Sequence, residues 1–181
     1  MVDTCDELSR LATYLGVSCG KMSFDGKEKL CLQVPVLKVQ NNSNPKGLVT
    51  VAKYLTRSSQ NAKNLLGATP EEKAAVDQWL EYRITRIDRS AQDKDVTNTL
   101  KELNHYLADK VYIMGSCLTL ADILLYNGLI EIMGGLTFYE KETFMNLSRW
   151  FDNIQHQPAL RQSLGLVSFQ RNQLYKGVKV H

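Results

Sequence analysis

Hydrophobic residues recur every three or four positions over most of the chain from residue 69 onward, and this spacing predicts amphipathic helices. The first of these helices has a clear start signal: Thr69 as N-cap, Pro70 at the first helical position and Glu72 placed to bond back to the cap. Its apolar stripe consists of Val76, Trp79, Leu80, Ile84 and Ile87. Later stripes predict two more helices, one with Val96, Leu100, Leu103 and Leu107 and one with Leu147, Trp150, Phe151 and Ile154.

Residues 1 to about 65 have a mixed pattern that predicts a small α/β unit. A short helix is predicted over Glu7 to Leu15, a strand over Val34 to Gln40 and a polar turn over 41–47. Helical spacing returns from Leu48, and the stretch from Asn61 to Ala68 is expected to be a linker.

The segment TLAD, residues 119–122, opens one of the most apolar runs in the chain. Thr119 can accept a bond from the amide three residues on, and Asp122 can reach back to the amide of Thr119, as in a capping box. The run behind it is apolar around most of a helix circumference, so other helices are expected to surround it. A buried helix start cannot rely on water, and we therefore favour a structural role for Asp122 over that of a catalytic base.

The composition is that of an ordinary globular protein, with 44% hydrophobic and 23% charged residues among 181. A formal charge of +3 is too small to indicate a nucleic-acid surface on its own, and direct nucleic-acid binding is not expected, although the tail RNQLYKGVKVH offers slight support for tRNA contact. The most apolar window contains Asp122 and Glu131, and each acid would cost roughly 2.5 to 3.5 kcal/mol at a bilayer centre. We expect a core helix there, not a membrane span.

The cysteines and histidines indicate neither a metal site nor a disulfide framework. Four cysteines fall in no CxxC pair, and the three histidines are scattered. Reduced thiols, together with an N-terminus that lacks an apolar segment, predict a cytoplasmic protein, with the nucleus as a second compartment.

Four segments carry a resemblance to a known family: QWLEYRITRID, LNHYLADKVYIMG, TLADILLY and LSRWFDNIQHQPALRQ. They are similar to the glutathione-transferase superfamily, and more closely to its non-enzymatic branch of elongation factor 1 epsilon type, the auxiliary proteins of the vertebrate multi-tRNA-synthetase complex. The resemblance implies an α+β fold, with a reduced thioredoxin-like domain over residues 1–62 and an all-helical domain over residues 63–181. Pro35 matches the family's cis-proline, which implies a structural role whether its own peptide bond is cis or trans.

The same resemblance implies that the enzyme's chemistry is lost. Only MVDTCD precedes the helix predicted at Glu7, too little for the strand that delivers the catalytic residue. The residues from Asp25 to Gln33 are too few for the family's second helix, and Gly47-Leu48 stand where the family has a Glu-Ser pair that grips glutathione. We expect no catalytic residue, cofactor or metal. The competing hypothesis is an active cytosolic glutathione transferase or thiol transferase that uses Cys5, although the neighbouring acids oppose a thiolate there.

The resemblance also implies two partner-binding faces. One combines a row on the helix after the turn with a row on the first helix of the second domain, namely Val49, Lys53, Arg57, Gln78, Tyr82 and Arg86. The other centres on Arg149, whose guanidinium suits an acidic partner. The implied partners are the glutathione-transferase-like domains of methionyl- and glutamyl-prolyl-tRNA synthetases and other scaffold subunits of the complex, and the family also carries a nuclear DNA-damage-response role. Trp150, next to Arg149, is expected to have a structural role in the core. In the alternative interpretation Arg149 pairs internally, and Lys53, Arg57 and Arg86 form a solvated face.

Overall fold

The computed structural model describes residues 3–18, 22–25, 34–38, 44–89 and 93–169. Its architecture is α+β, as predicted, with a two-stranded antiparallel pair near the start and helices for most of the rest. The elements are α1 (Thr4–Leu15), β1 (Met22–Asp25), β2 (Val34–Leu37), α2 (Leu48–Arg57), α3 (Ala62–Leu66), α4 (Pro70–Tyr82) with a π-helical turn (Arg83–Ile87), α5 (Asp93–Tyr106), α6 (Leu120–Gly135), α7 (Phe138–Thr143), α8 (Met145–Gln155) and α9 (Pro158–Arg161). Residues 26–33, part of the segment expected to be too short for the family's second helix, and the tail after residue 169 lie outside the described residues.

Helix α1 begins three residues earlier than its apolar spacing indicates. Asp3 is its N-cap, and the Asp3 side chain accepts a hydrogen bond from the amide of Cys5 at 2.9 Å. The helix buries Leu8 and Leu11 and packs against α2 and α9. It ends at Gly16, whose φ of 65° is the left-handed conformation that glycine adopts without strain.

Strand β2 lies between β1 and the segment that leads into α2. Pro35 is opposite Phe24 in the antiparallel register, and its carbonyl accepts from the amide of Gly47 at 2.9 Å. No cis peptide bond occurs in the described residues, so the Val34–Pro35 bond is trans. Pro35 is buried and keeps a structural position without the family's cis geometry.

The expected linker between Asn61 and Ala68 contains helix α3, which the sequence interpretation missed. The turn forms because Leu65 is buried, with 3% of its surface exposed, while its neighbours Lys63 and Asn64 face solvent. The domain boundary between residues 62 and 63 stays a prediction, and α3 begins at that point.

Helix α4 starts at the capping box read from the sequence. Thr69 accepts from the amide of Glu72 at 3.2 Å, and the Glu72 carboxylate accepts from the amides of Ala68 and Thr69. The helix ends in a π-helical turn, whose wider winding turns Arg83 into the interior.

Helix α6 is the centre of the helical part. It packs against α4, the π-helical turn and α8, and its apolar residues from Leu120 to Met133 are largely buried. Thr137 and Glu140 cap α7, and the predicted stripe of α8 is fully buried. Among the described helices, none is both long enough and apolar enough to cross a membrane.

Candidate protein-binding surfaces

Asp122 connects three elements beneath one of the predicted faces. Its carboxylate accepts from the amide of Thr119 at 2.9 Å, the hydroxyl of Thr119 at 2.8 Å, the amide of Ile113 at 2.7 Å and Nε1 of Trp150 at 3.0 Å. Burial raises the pKa of the Asp122 carboxyl, and these four donors oppose the rise. Asp122 thus lies in the cap that the sequence predicts, and its contacts extend beyond the cap to the 110–119 loop and to α8.

Arg149 lies on the outer side of α8, next to the buried Trp150. Its Nη2 donates to the carbonyls of Leu107 at 2.8 Å and Lys110 at 3.0 Å, at the end of α5. The internal pairing considered from the sequence is therefore present. The residue is nevertheless exposed, and its role as an anchor for a partner stays a prediction.

Two exposed apolar residues lie near Arg149 or its hydrogen-bond partner Lys110 in the chain. Met145 precedes Arg149 by one helical turn and is 68% exposed, and Val111, which follows Lys110, is 56% exposed. Residues of α5 fix this helix start, because Oδ1 of Asn104 accepts from the amides of Asn146 and Leu147 at 2.9 and 3.2 Å. We call Val111, Met145 and Arg149 the α8 surface. Apolar side chains around an arginine are typical of protein interfaces.

The row predicted on α2 meets α4 through an ion pair. Lys53 Nζ lies 2.7 Å from both carboxylate oxygens of Asp77. Val49 is half-buried and packs on the core, whereas Arg57 is exposed. Together with α3, these helices border a groove of about 330 Å³, which we call the basic groove, lined by Lys53, Arg57, Ala62, Lys63, Leu66, Gly67, Lys73 and Asp77.

The row predicted on α4 turns away from α2 towards α5. Gln78 is exposed, but the Tyr82 hydroxyl donates to the Glu102 carboxylate at 3.0 Å, and its ring packs on Trp79. Arg86 borders a second, polar groove of about 460 Å³ between the π-helical turn and α5. Of the six residues predicted for this face, Lys53 and Arg57 thus line the basic groove and Arg86 lines the second one, whereas Val49, Gln78 and Tyr82 line neither.

Sequence reasoning missed Lys63, Lys73 and Asp77. Lys63 was hidden in a segment interpreted as a linker, and the pairing of Lys53 with Asp77 needs the relative placement of α2 and α4. Arg57, Lys63 and Lys73 follow Lys53 within 20 residues, and this cluster of cations was the only indication of a basic surface. The sequence alone does not show that they line one groove.

A buried charge network joins α1 to the helical part, and the sequence interpretation missed this too. Arg83 Nε donates to the carbonyl of Leu124 at 3.0 Å, and its guanidinium lies 3.6 Å from Glu7 and beside Asp88. Arg10 donates to Asn127 on α6. The available signal was a charge on an apolar stripe: Glu7 lies one turn before Leu11, and Arg83 lies one turn before Ile87.

Glu7 should make stability depend on pH. Burial raises its pKa from 4.5 to about 7, against the opposing effect of Arg83 and Arg10. Because the folded pKa is the higher one, this contribution is fully present below the unfolded value and is lost as pH rises through the folded value. We expect the free energy of unfolding of wild type to fall more between about pH 5 and about pH 8 than that of Glu7→Gln, as measured by urea denaturation.

Glu142→Gln is the matched control for this pH effect, because Glu142 is exposed on α7. It should follow the pH profile of wild type. Equal slopes for wild type and Glu7→Gln would contradict the assignment of a raised pKa to Glu7.

The positions that hold glutathione in the enzyme family carry little chemistry here. Gly47 has no side chain and adopts a φ of 92°, and Leu48 is buried with 7% exposure. Cys5 is half-buried in α1. Over the residues that the structure describes, no three His, Cys, Asp or Glu side chains are grouped to hold a metal ion.

In sequence the chain is similar to proteins of translation, and in fold it is similar to glutathione transferases. Human eukaryotic translation elongation factor 1 epsilon-1 is 49% identical over 170 residues, covering 93% of this chain and 95% of the relative. A bifunctional glutamate/proline–tRNA ligase of Cricetulus griseus is 30% identical over 141 residues, 76% of this chain and 8% of the ligase. A class Gtt2 glutathione S-transferase of Vibrio parahaemolyticus shares the fold with a TM-score of 0.69 at 21% identity, covering 88% of this chain and 91% of the transferase.

The sequence family described as nuclear-export cofactor Arc1p matches residues 72–158, from α4 to the start of α9. The resemblance read from the four sequence segments is confirmed. With about half of its residues shared with the human relative over nearly the full length of both, the chain belongs to the eukaryotic translation elongation factor 1 epsilon-1 family and folds like a glutathione transferase.

Proposed function

We propose that this protein is a non-catalytic adaptor in translation that docks glutathione-transferase-like domains of tRNA synthetases. The observation that carries the proposal is the 30% identity between 141 residues of this chain and a stretch amounting to 8% of a glutamate/proline–tRNA ligase. A domain of this kind thus occurs both in this chain and within a synthetase. Domains of one fold can pair through equivalent surfaces, as the subunits of a symmetric dimer do.

Two surfaces allow one adaptor to hold two partners. The α8 surface offers exposed apolar side chains around Arg149, and the α2–α4 side offers the basic groove. We assign them to the glutathione-transferase-like domains of glutamyl-prolyl- and methionyl-tRNA synthetases, within a multi-tRNA-synthetase complex that includes other scaffold subunits. Family membership supports the coarser role, an auxiliary factor of translation.

The α8 surface gives a direct test of docking. Met145→Asp places a charge at a 68% exposed apolar position, so it should weaken binding to one synthetase domain by about tenfold or more with little change in folding. Arg149→Ala should weaken the same association. Sizing chromatography and calorimetry with each purified domain measure both effects.

Gln78→Asp is the matched control for the α8 surface, because Gln78 is exposed on α4. It should leave that association intact. If wild type, Met145→Asp and Arg149→Ala bind both domains equally well, the α8 surface is not the docking site.

The competing hypothesis of an active transferase predicts that the protein binds glutathione and conjugates it to an acceptor. Gly47 and Leu48 provide no side-chain donor or acceptor for the peptide end of glutathione, which supports a non-catalytic role. We expect no retention on immobilised glutathione and no conjugation of a chlorinated aromatic acceptor beyond that of Cys5→Ser. Activity that Cys5→Ser abolishes would favour the transferase.

The proposal places the protein in the cytoplasm with the synthetases, together with a nuclear pool in the DNA-damage response. Fractionation of cells before and after DNA damage checks both locations. A protein that stays cytoplasmic throughout would remove the nuclear role and leave the adaptor role standing.

A further inference from the structure

The basic groove brings cations of three helices around one opening. Arg57 comes from α2, Lys63 from α3 and Lys73 from α4. The tight turn at Gly67 sets this arrangement: its φ is 91°, and an added Cβ would lie 2.7 Å from Glu72 Cβ and 2.9 Å from the amide of Lys73. Because glycine alone fits this approach, the end of α3 reaches the start of α4.

The positive charge of the groove is only partly neutralised by the chain itself. Asp77 lines the groove, and both of its oxygens are on Lys53. Glu72 lies close by, but one of its oxygens accepts from the amides of Ala68 and Thr69. Within the described parts of the chain, no carboxylate pairs with Arg57, Lys63 or Lys73. Three cations around one concave surface produce a local positive potential that favours an anionic ligand.

The lining of the groove distinguishes between kinds of anion. Ala62 and Leu66 contribute apolar surface, and the cationic side chains add aliphatic stems. A phosphodiester has no apolar part to place on such a surface, whereas an acidic peptide carries carboxylates and aliphatic side chains together. The chain's small formal charge of +3 also does not by itself indicate a broad positive field of the kind that favours nucleic-acid binding.

We propose that the basic groove binds an acidic segment of a synthetase's glutathione-transferase-like domain. Its carboxylates contact Arg57, Lys63 and Lys73, and an aliphatic side chain packs on Leu66. The inference rests on the proposed function, and it adds the chemistry of the partner: acidic residues beside an aliphatic one. The groove includes Lys53 and Arg57, two residues of the predicted α2 row, so it is continuous with that face.

The test reverses two charges at the rim of the groove. Lys63→Glu/Lys73→Glu changes two exposed side chains, and Lys38→Glu/Lys94→Glu makes the same change at two exposed positions that line neither groove. Binding to the purified glutathione-transferase-like domains of the two synthetases, and to bulk tRNA, is measured by calorimetry at low and at physiological salt. We expect the first variant to weaken one synthetase association by about tenfold or more and to reduce its salt dependence, while the second binds like wild type.

The outcomes separate this inference from the proposed function. If wild type and both variants bind the synthetase domains equally, the groove is not a docking site, although the adaptor role stands. If wild type binds neither domain, both proposals fail. If wild type binds tRNA and only the groove variant loses that binding, the occupant is a nucleic acid and the acidic segment is wrong.

Discussion

Asp122→Ala is expected to lower the free energy of unfolding by about 4 kcal/mol, because each buried donor left without an acceptor costs about 1 to 3 kcal/mol. The substitution would leave the amides of Ile113 and Thr119 and the indole of Trp150 unpaired in the interior. A lost N-cap alone costs about 0.5 to 2 kcal/mol, so the size of the effect tests the wider role. Urea denaturation of wild type and variant measures it.

Glu140→Ala is the matched control, because Thr137 and Glu140 form the same kind of box at the start of α7. There the carboxylate accepts from the amide and hydroxyl of Thr137, and it is exposed. Water can replace a lost acceptor at this site, so we expect a cost of about 1 kcal/mol or less. Equal costs for the two variants would show that Asp122 does no more than cap α6.

The capping boxes at the starts of α6 and α7 show which features of this chain can be predicted from its sequence. Capping depends on residues three apart, so the starts of α4, α6 and α7 could be read directly. The bonds from Ile113 and Trp150 to Asp122 join residues 9 and 28 positions away, and no local pattern encodes them. The sequence therefore predicted the cap at the start of α6 but not the two bonds that join it to the 110–119 loop and to α8.

The same limit applies to the binding surfaces. Spacing of four residues predicts that Lys53 and Arg57 share one side of α2, and the structure agrees. Tyr82, however, turns to Glu102 on α5, because the packing of α4 on its neighbours decides which way its outer row faces. The groove residues of α3 and α4 depend on the turn at Gly67, whose left-handed conformation was not anticipated.

Buried charges were overlooked for a related reason. Helix faces were predicted from the spacing of apolar residues alone. Glu7 and Arg83 were therefore overlooked, although each lies on the apolar face of its helix. Their burial, at 1% and 5% exposure, requires partners from other elements. The π-helical turn and a glycine on α6 make room for the guanidinium, and neither feature follows from periodicity.

That glycine leads to the second large effect: Gly128→Ala is expected to destabilise the protein by about 3 kcal/mol, through overpacking of the core. A Cβ at Gly128 would lie 2.0 Å from Nε and 2.2 Å from Cζ of Arg83. The guanidinium cannot simply move aside, because it is buried and bonded to the Leu124 carbonyl at 3.0 Å. Gly134→Ala, in the same helix, meets nothing within 4 Å and should be neutral or stabilising by up to about 1 kcal/mol.

A double-mutant cycle identifies the cause of the Gly128→Ala effect. Arg83→Leu ends at Cδ, so it removes the three atoms that the new Cβ would approach, namely Nε, Cζ and Nη2. In that background the cost of Gly128→Ala should fall by more than about 1 kcal/mol, as expected for residues in direct contact. Denaturation near pH 5 keeps Glu7 largely protonated, so its lost partner does not dominate the comparison. If Gly128→Ala destabilises the protein equally with and without Arg83, Arg83 does not occupy the space next to Gly128. The assigned network from Glu7 through Arg83 to α6 would then be wrong.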